Sequence, residues 1–322
     1  MGSSSEKVVL TALVGNFAIA VAKFVASVYT GSSSMLSEGI HSLVDSANQG
    51  LLLFGLKRSQ QNPDENHPLG YGKELYFWAF IVAILIFGVG GGFSIYEGIH
   101  KLGEEHHLIT NPFINYGVLS FAFIVEGYAL WVAVKEFNVK RGDTPLYQAI
   151  QDSKDPATYT VLLEDGAALA GIFIAFLGTF LSHVFHFHMA DAISAICIGV
   201  LLCAVAVVMA IETKSLLIGE AASKTVQEKI EKILNIDNDP NILQLNEIIT
   251  LQVAPYNILV IISVDFADHL DSIQVEKLVS DLDTSIKKEC PDVKRVFIEA
   301  QNTFAHLEII REAKVCENQE KT

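Results

Sequence analysis

The sequence predicts an α-helical six-span transmembrane bundle followed by a small C-terminal α/β domain, and three observations predict it. Of the 322 residues 51% are hydrophobic and the mean hydropathy is +0.38, with the apolar excess in the first two thirds of the chain. A membrane-crossing helix needs about 20 mostly apolar residues, and six stretches qualify, near 8–29, 33–56, 75–99, 112–135, 157–182 and 189–213. Beyond residue 214 charge rises, and helical and strand-like periods alternate on a soluble scale. The expected organisation is a membrane domain over 1–214, a cytosolic domain over 215–305 and a polar tail over 306–322.

The first span starts at Val8 without a basic leader or a small-residue cleavage site, so no cleaved signal peptide is expected. Basic residues near the span ends set the orientation. Lys7, Lys57, Arg58, Lys73, Lys135, Lys140, Arg141, Lys154 and Lys214 fall on one side, and only Lys101 falls on the other. Under the positive-inside rule both termini face the cytoplasm, which requires an even number of spans. In a bacterium this would be a multi-pass protein of the plasma (inner) membrane. The formal charge of −15 argues against a nucleic-acid partner. Cys197, Cys203, Cys290 and Cys316 form no CxxC pair, so neither a disulfide framework nor a cysteine zinc site is expected.

Short links join spans one to two and five to six, predicting helical hairpins. Span three contains "FGVGGGF", where Gly88 and Gly92 stand four apart and allow close helix approach, within the bundle or between subunits. In the soluble part, 221–235 reads as helix and "NEIITLQVAPYNILVIISVDF" as two strands turning at Pro255-Tyr256-Asn257. "DSIQVEKLVSDLDTSIKKEC" reads as an amphipathic helix and "VKRVFIEA" as a third strand. The order α-β-β-α-β predicts a two-layer domain. The last 15 or so residues are polar and read as irregular.

Ionisable groups are costly inside a bilayer and mark function by default. Lys23 in span one is expected to pair with a carboxylate or to reach an interface. In span two, "SEGIHSLVD" sets Glu38, His41 and Asp45 at spacings of three and four, on one helix face. His41 and Asp45 lie about 6 Å apart at i and i+4, close enough to hold one ion. Nitrogen plus carboxylate oxygen suits zinc and its first-row neighbours better than magnesium or calcium. A buried His–Asp hydrogen bond between helices is the structural alternative. "LLEDGAALAG" in span five adds Glu164 and Asp165 at comparable depth, which favours a metal site. Asp64, Glu65 and His67 in "NPDENHPLGYGKE" either chelate a cation or form a solvated turn. His183, His186 and His188 in "HVFHFHMAD" form a similar weak cluster beside Asp191. No HExxH pair and no evident nucleophile is present, so an enzyme is not expected.

"TGSSSMLSEGIHSLVDSANQGLLLFGL", with "HPLGYGKE", resembles the second span and following loop of the cation diffusion facilitator family. "VLLEDGAALAGIFIAFLG" and "HMADAISAICIGVLL" are similar to its fifth and sixth spans. The wording most resembles the branch that includes a mitochondrial zinc transporter and its bacterial relatives. The resemblance implies six spans, a cytosolic metallochaperone-like domain and a homodimer. It also implies efflux of zinc or a related divalent ion against inward protons, with no cofactor besides the transported ion.

The family's central site pairs two ligands four apart on span two with two ligands four apart on span five. His41 and Asp45 match the first pair, but only Asp165 matches the second, because Val161 stands where its partner is expected. Either the site has three protein ligands, or Glu164 or Glu38 completes the set, although Glu164 points about 100° away from Asp165 around an ideal helix. The family's loop site corresponds to Asp64 and His67, with Tyr71 in a third ligand position. Ser263, Ile298 and Ala300 stand where some members bind a zinc pair in the tail, so dimerisation is the role expected there. A metal sensor or scaffold without transport, or cargo of iron, cobalt or manganese, are the alternatives at this stage.

Overall fold

The structure, a computed structural model, describes residues 3–103, 111–141, 154–234 and 239–320. The side chains of Lys7, Lys140, Arg141 and Cys316, which entered the orientation and cysteine readings, lie outside the described residues. The chain divides into two compact units, Met1–Leu217 and Ile218–Thr322.

The first unit is helical. Helix α1 (Ser3–Thr30) turns through Gly31 into α2 (Ser33–Ser59). Gly31 has φ +68°, a conformation that favours glycine, and Ser32 then caps α2 by accepting from the Met35 N–H at 3.2 Å. The third apolar stretch is α3 (Glu74–Leu85), a π-helical segment (Ile86–Gly92) and α4 (Phe93–Leu102). It is followed by α5 (Pro112–Arg141), α6 (Pro156–Val184) and α7 (Ala190–Ile218). Helix α2 packs on α1, α3, α4 and α6, while α5 packs on α1 and α6.

Among the described residues, four helices are long and apolar enough to cross a membrane: Glu74–Leu102, Pro112–Lys135, Tyr159–Val184 and Ala190–Ile218. The sequence reading expected six. Over Asn16–Thr30, α1 is apolar but shorter. Helix α2 has 27 residues, yet it carries Glu38, His41, Asp45, Lys57 and Arg58 together with five serines up to Ser46. Its polar groups are buried against other helices: Ser34, Ser37, Glu38 and Asn48 are wholly inaccessible. A helix with this composition is held by its neighbours rather than by lipid.

The glycine run packs differently from its expected pairing. Gly88 has open space around it and Gly92 meets only the backbone of its own turn. The tight contacts are made by Gly91 and Gly98. A Cβ on Gly91 would fall 2.9 Å from the Gly199 carbonyl, and one on Gly98 would fall 2.7 Å from the Ala192 carbonyl. The π segment adds one residue per turn just before α4. That shifts the angular phase of the run, so a four-residue spacing taken from an ideal α-helix selects the wrong glycines.

The second unit has helix α8 (Lys224–Ile233), strands β1 (Ile242–Ala254) and β2 (Asn257–Phe266), helix α9 (Ser272–Glu289), strand β3 (Val293–Ala300) and helix α10 (Thr303–Glu320). The hairpin β1–β2 closes at Pro255-Tyr256 with Ala254 opposite Asn257. Strand β3 adds parallel to β2, giving the order β1-β2-β3. Val260, Ile262 and Val264 of β2 form a core with Ile230 of α8 and with Leu282 and Ile286 of α9. Asp271 starts α9 with a reciprocal cap to Gln274. The segment expected to be irregular is the helix α10. Its start is capped twice, by Asp265 accepting from the Thr303 N–H at 2.8 Å and by Asn302 accepting from the Phe304 N–H at 3.0 Å. The first cap comes from β2, which a local composition reading does not see.

Replacing Gly98 with Leu should overpack the α4–α7 contact at a cost of about 1–3 kcal/mol and lower the melting temperature in detergent by about 5 °C. Gly88→Leu should leave it within about 1 °C. Equal melting temperatures for the two variants would sink this assignment of the interface.

Candidate metal-binding site

The helical repeat places Glu38, His41, Asp45 and Asn48 along one stripe of α2. His41 Nδ1 lies 3.3 Å from Asp45 Oδ1. The imidazole is buried, and among the described residues neither of its nitrogens nor Asp45 Oδ1 has a hydrogen-bond partner. Buried polar atoms are otherwise almost always paired. The structural alternative, a His–Asp hydrogen bond between helices, is not what forms from this pair, since both groups lie on α2. The two groups stand in contact with lone pairs unused, the donor set that suits a first-row divalent cation.

Facing this pair, α6 supplies Glu164 and Asp165. Glu164 is buried and accepts from Asn48 Nδ2 at 2.8 Å through Oε1. Both acids are within electrostatic reach of His41 and Asp45. Among the described residues, no three His, Cys, Asp or Glu side chains converge tightly enough to enclose an ion. The geometry thus brings the α2 pair and the α6 acids to one neighbourhood without closing a coordination sphere. Asn48 is a site residue that the sequence reading missed. The signal was there, since it continues the i, i+4, i+7 stripe from His41, but an amide carries no charge to draw attention.

Glu38 has a different neighbour. Lys23 of α1 is wholly buried, and its ammonium donates to Glu38 Oε2 at 2.9 Å, Ser42 Oγ at 2.8 Å and Glu126 Oε1 at 3.0 Å. These three bonds use all three ammonium hydrogens and tie α1, α2 and α5 together. The expected pairing of Lys23 with a carboxylate is what forms. It engages one oxygen of Glu38, the group expected as a substitute ligand.

The loop cluster is a turn held by its own side chains. Asp64 accepts from the His67 N–H at 2.7 Å and from the Tyr71 hydroxyl at 2.6 Å. The rings of His67 and Tyr71 pack at 4.3 Å between centroids. The Tyr71 hydroxyl, followed by the His67 amide, holds the Asp64 carboxyl below its ordinary range. The same contact with Asp64 pushes the Tyr71 phenol up. On the opposite side, Asp191 is engaged by serines. It accepts from Ser32 Oγ at 2.6 Å, from Ser34 Oγ at 2.5 Å and from the Ser33 N–H at 2.5 Å, at the N-terminus of α2. His183 instead sits against Phe113 and Tyr116. In the second unit, Ser263 and Gln301 hydrogen bond at 3.2 Å, and Asn246 donates to the Gln301 carbonyl at 2.8 Å, so that position is a polar amide and hydroxyl network.

Residues 9–218 match the model of the cation efflux transmembrane domain. The chain is 33% identical over 244 residues to the mitochondrial proton-coupled zinc antiporter SLC30A9 of Homo sapiens, covering 75% of this chain and 42% of the relative. It is 34% identical over 238 residues to metal tolerance protein C4 of Arabidopsis thaliana, covering 73% of this chain and 51% of that protein. An uncharacterized transporter of Methanocaldococcus jannaschii aligns over 95% of this chain and 98% of its own length at 26% identity. The chain thus spans about half the length or less of the first two. The matched domain contains every helix that carries His41, Asp45, Glu164 and Asp165, and the chain belongs to the cation diffusion facilitator family.

Proposed function

We propose that this protein is a divalent metal cation transporter that exports zinc in exchange for protons, with His41, Asp45 and Asp165 as the cargo site. The observation that carries this reading is the buried His41–Asp45 pair with unpartnered lone pairs, facing two acids on α6. The printed name of the human relative, a proton-coupled zinc antiporter, supports zinc and protons as the exchanged ions. In this reading six helices span the membrane, α2 among them, and both termini lie on the cytoplasmic side. The second unit serves a homodimer.

A neutral imidazole offers a ring nitrogen to the cation and Asp45 offers a carboxylate oxygen, a donor set that suits zinc. Asp165 adds a second carboxylate, and Glu164 becomes a fourth ligand when it exchanges the Asn48 amide for the ion. Glu38 stays with Lys23, and Asp64 and His67 shape the turn before α3. Protons and metal compete for the same lone pairs, so a metal released on one side is replaced by protons for the return. The relatives are transporters, and nothing in the site presents a nucleophile for hydrolysis.

Asp45→Ala should abolish zinc-dependent proton movement in proteoliposomes carrying a pH-sensitive dye, with at least about a tenfold loss. Flux equal to the unmodified protein would refute the site, and zinc binding without flux in the unmodified protein would instead identify a sensor. Lowering the pH on the loading side should raise the zinc concentration needed for half-maximal uptake, because protonation of His41 and the aspartates removes the lone pairs the cation needs. A pH-independent half-saturation would exclude competition at this site. Glu38→Gln separates the two clusters. It should lower the melting temperature by weakening the Lys23 pairing while leaving the calorimetric zinc affinity within about threefold, whereas a loss of about tenfold or more would return Glu38 to the ligand set.

A further inference from the structure

We propose that a groove between the ends of α2, α3 and α7 is a binding site for an anionic phospholipid. The groove has a volume of about 440 Å³ and is lined on its apolar side by Phe54, Phe77 and Trp78. Arg58, Lys73 and Glu74 form its polar rim. This volume lies in the range of small-molecule sites, yet the walls are open. Phe54 and Phe77 are 48% and 44% exposed, large aromatic faces that need an apolar neighbour.

The order of residues along both helices has a direction. Phe54 and Arg58 are one turn apart on α2, with the cation nearer the loop. Lys73 and Phe77 are one turn apart at the start of α3, again with the cation nearer the loop. Two helices therefore present the same gradient, aromatic toward the bundle and cationic toward its end. That is the profile of a membrane–water interface, where aromatic rings and basic side chains anchor. The walls are fixed by contact: the Trp78 ring meets Phe54 edge to face at 4.9 Å between centroids and Phe77 at 5.5 Å. Gly55 lets Trp78 approach, since a Cβ there would fall 2.8 Å from Trp78 Cβ.

The rim is arranged to receive an anion. Glu74 has both oxygens engaged, Oε1 by Arg58 Nη2 at 3.2 Å and Oε2 by Trp78 Nε1 at 2.9 Å. It holds the guanidinium at the mouth by one of its five donors. The guanidinium also lies over the Tyr71 ring at 5.9 Å. Lys73 donates to the Leu217 carbonyl at 3.3 Å, which ties the third helix to the rim and uses one of its three hydrogens. Lys73 also opens α3, and no side chain caps that helix start, so its first-turn N–H groups and dipole add to the same positive end. Lys57 and Lys214 are exposed at the same helix ends.

These features select the occupant. A phosphodiester takes the remaining donors of Arg58 and Lys73, and an acyl chain covers Phe54 and Phe77. A soluble anion would leave the aromatic wall uncovered. A choline headgroup would bring a fixed positive charge to a rim with several cations. Anionic lipids of the cytoplasmic leaflet meet basic pockets between helices in this way.

The test uses the full chain in detergent, titrated with phosphatidylglycerol, phosphatidylcholine of the same acyl chains, or glycerol 3-phosphate, and reads the melting temperature. Phosphatidylglycerol should raise it saturably, with a half-saturating mole fraction at least about fivefold below that of phosphatidylcholine. Arg58→Gln with Lys73→Gln should remove the difference between the two lipids. Lys73→Gln alone should reduce it, which covers a double variant that does not fold. Equal responses to both lipids in the unmodified protein would overturn the proposal. So would a full response to glycerol 3-phosphate, or a variant series that keeps its preference.

Discussion

A polar or charged side chain inside an apolar bundle must find a partner, and helix α2 concentrates that demand. Its buried face carries Glu38, His41, Ser42, Asn48 and the serines of its first turn, in a unit whose other long helices are apolar. The partners come from every side. Lys23 reaches in from α1 and is itself held by Glu126 of α5, while Glu164 comes from α6 and Asp191 from the start of α7. The bundle is held together through α2 by these directional bonds as much as by the apolar cluster of Ile40, Val44 and Leu52.

Many of these groups are satisfied, and the unsatisfied atoms include those of the candidate site. The three hydrogens of Lys23 are used, and so are the hydroxyls of Ser32 and Ser34 beside Asp191. What stays unpartnered among the described residues includes both nitrogens of His41 and one oxygen of Asp45. Leaving such atoms unpaired costs about 1–3 kcal/mol each. That cost is tolerable where a cation supplies the missing interaction for part of the working cycle. The distinction between Glu38 and His41, three residues apart on one stripe, is thus a matter of neighbours rather than of residue type.

The sequence reveals the spacing of ionisable groups along a helix but not who stands opposite them. His41 and Asp45 were legible because i and i+4 on one helix is a local relation. So was the α-β-β-α-β order, which follows from period and turn residues. The pairing of Glu38 with Lys23 spans 15 residues and two helices, and the Asn48–Glu164 bond spans 116, so neither distance is encoded locally. The glycine contact was misplaced because a π segment alters the period on which the reading relied. Helix α10 was missed because its cap, Asp265, lies on a strand 38 residues earlier.

The same bonds limit how the bundle can deform. Lys23 joins α1, α2 and α5 at mid-length, so any motion that turns His41 toward a different side either carries these helices together or breaks a buried ion pair. Breaking such a pair costs about 3–5 kcal/mol when a partner is stranded. The π segment and α4 are joined to α7 by another kind of contact, close packing at Gly91, Gly98 and Gly199, where each glycine lies near a backbone carbonyl or amide of the other helix. Asp191 links the two groups, and it does so only at the end where α2 begins. A rearrangement that preserves all three sets of contacts must keep that end of α2 in place.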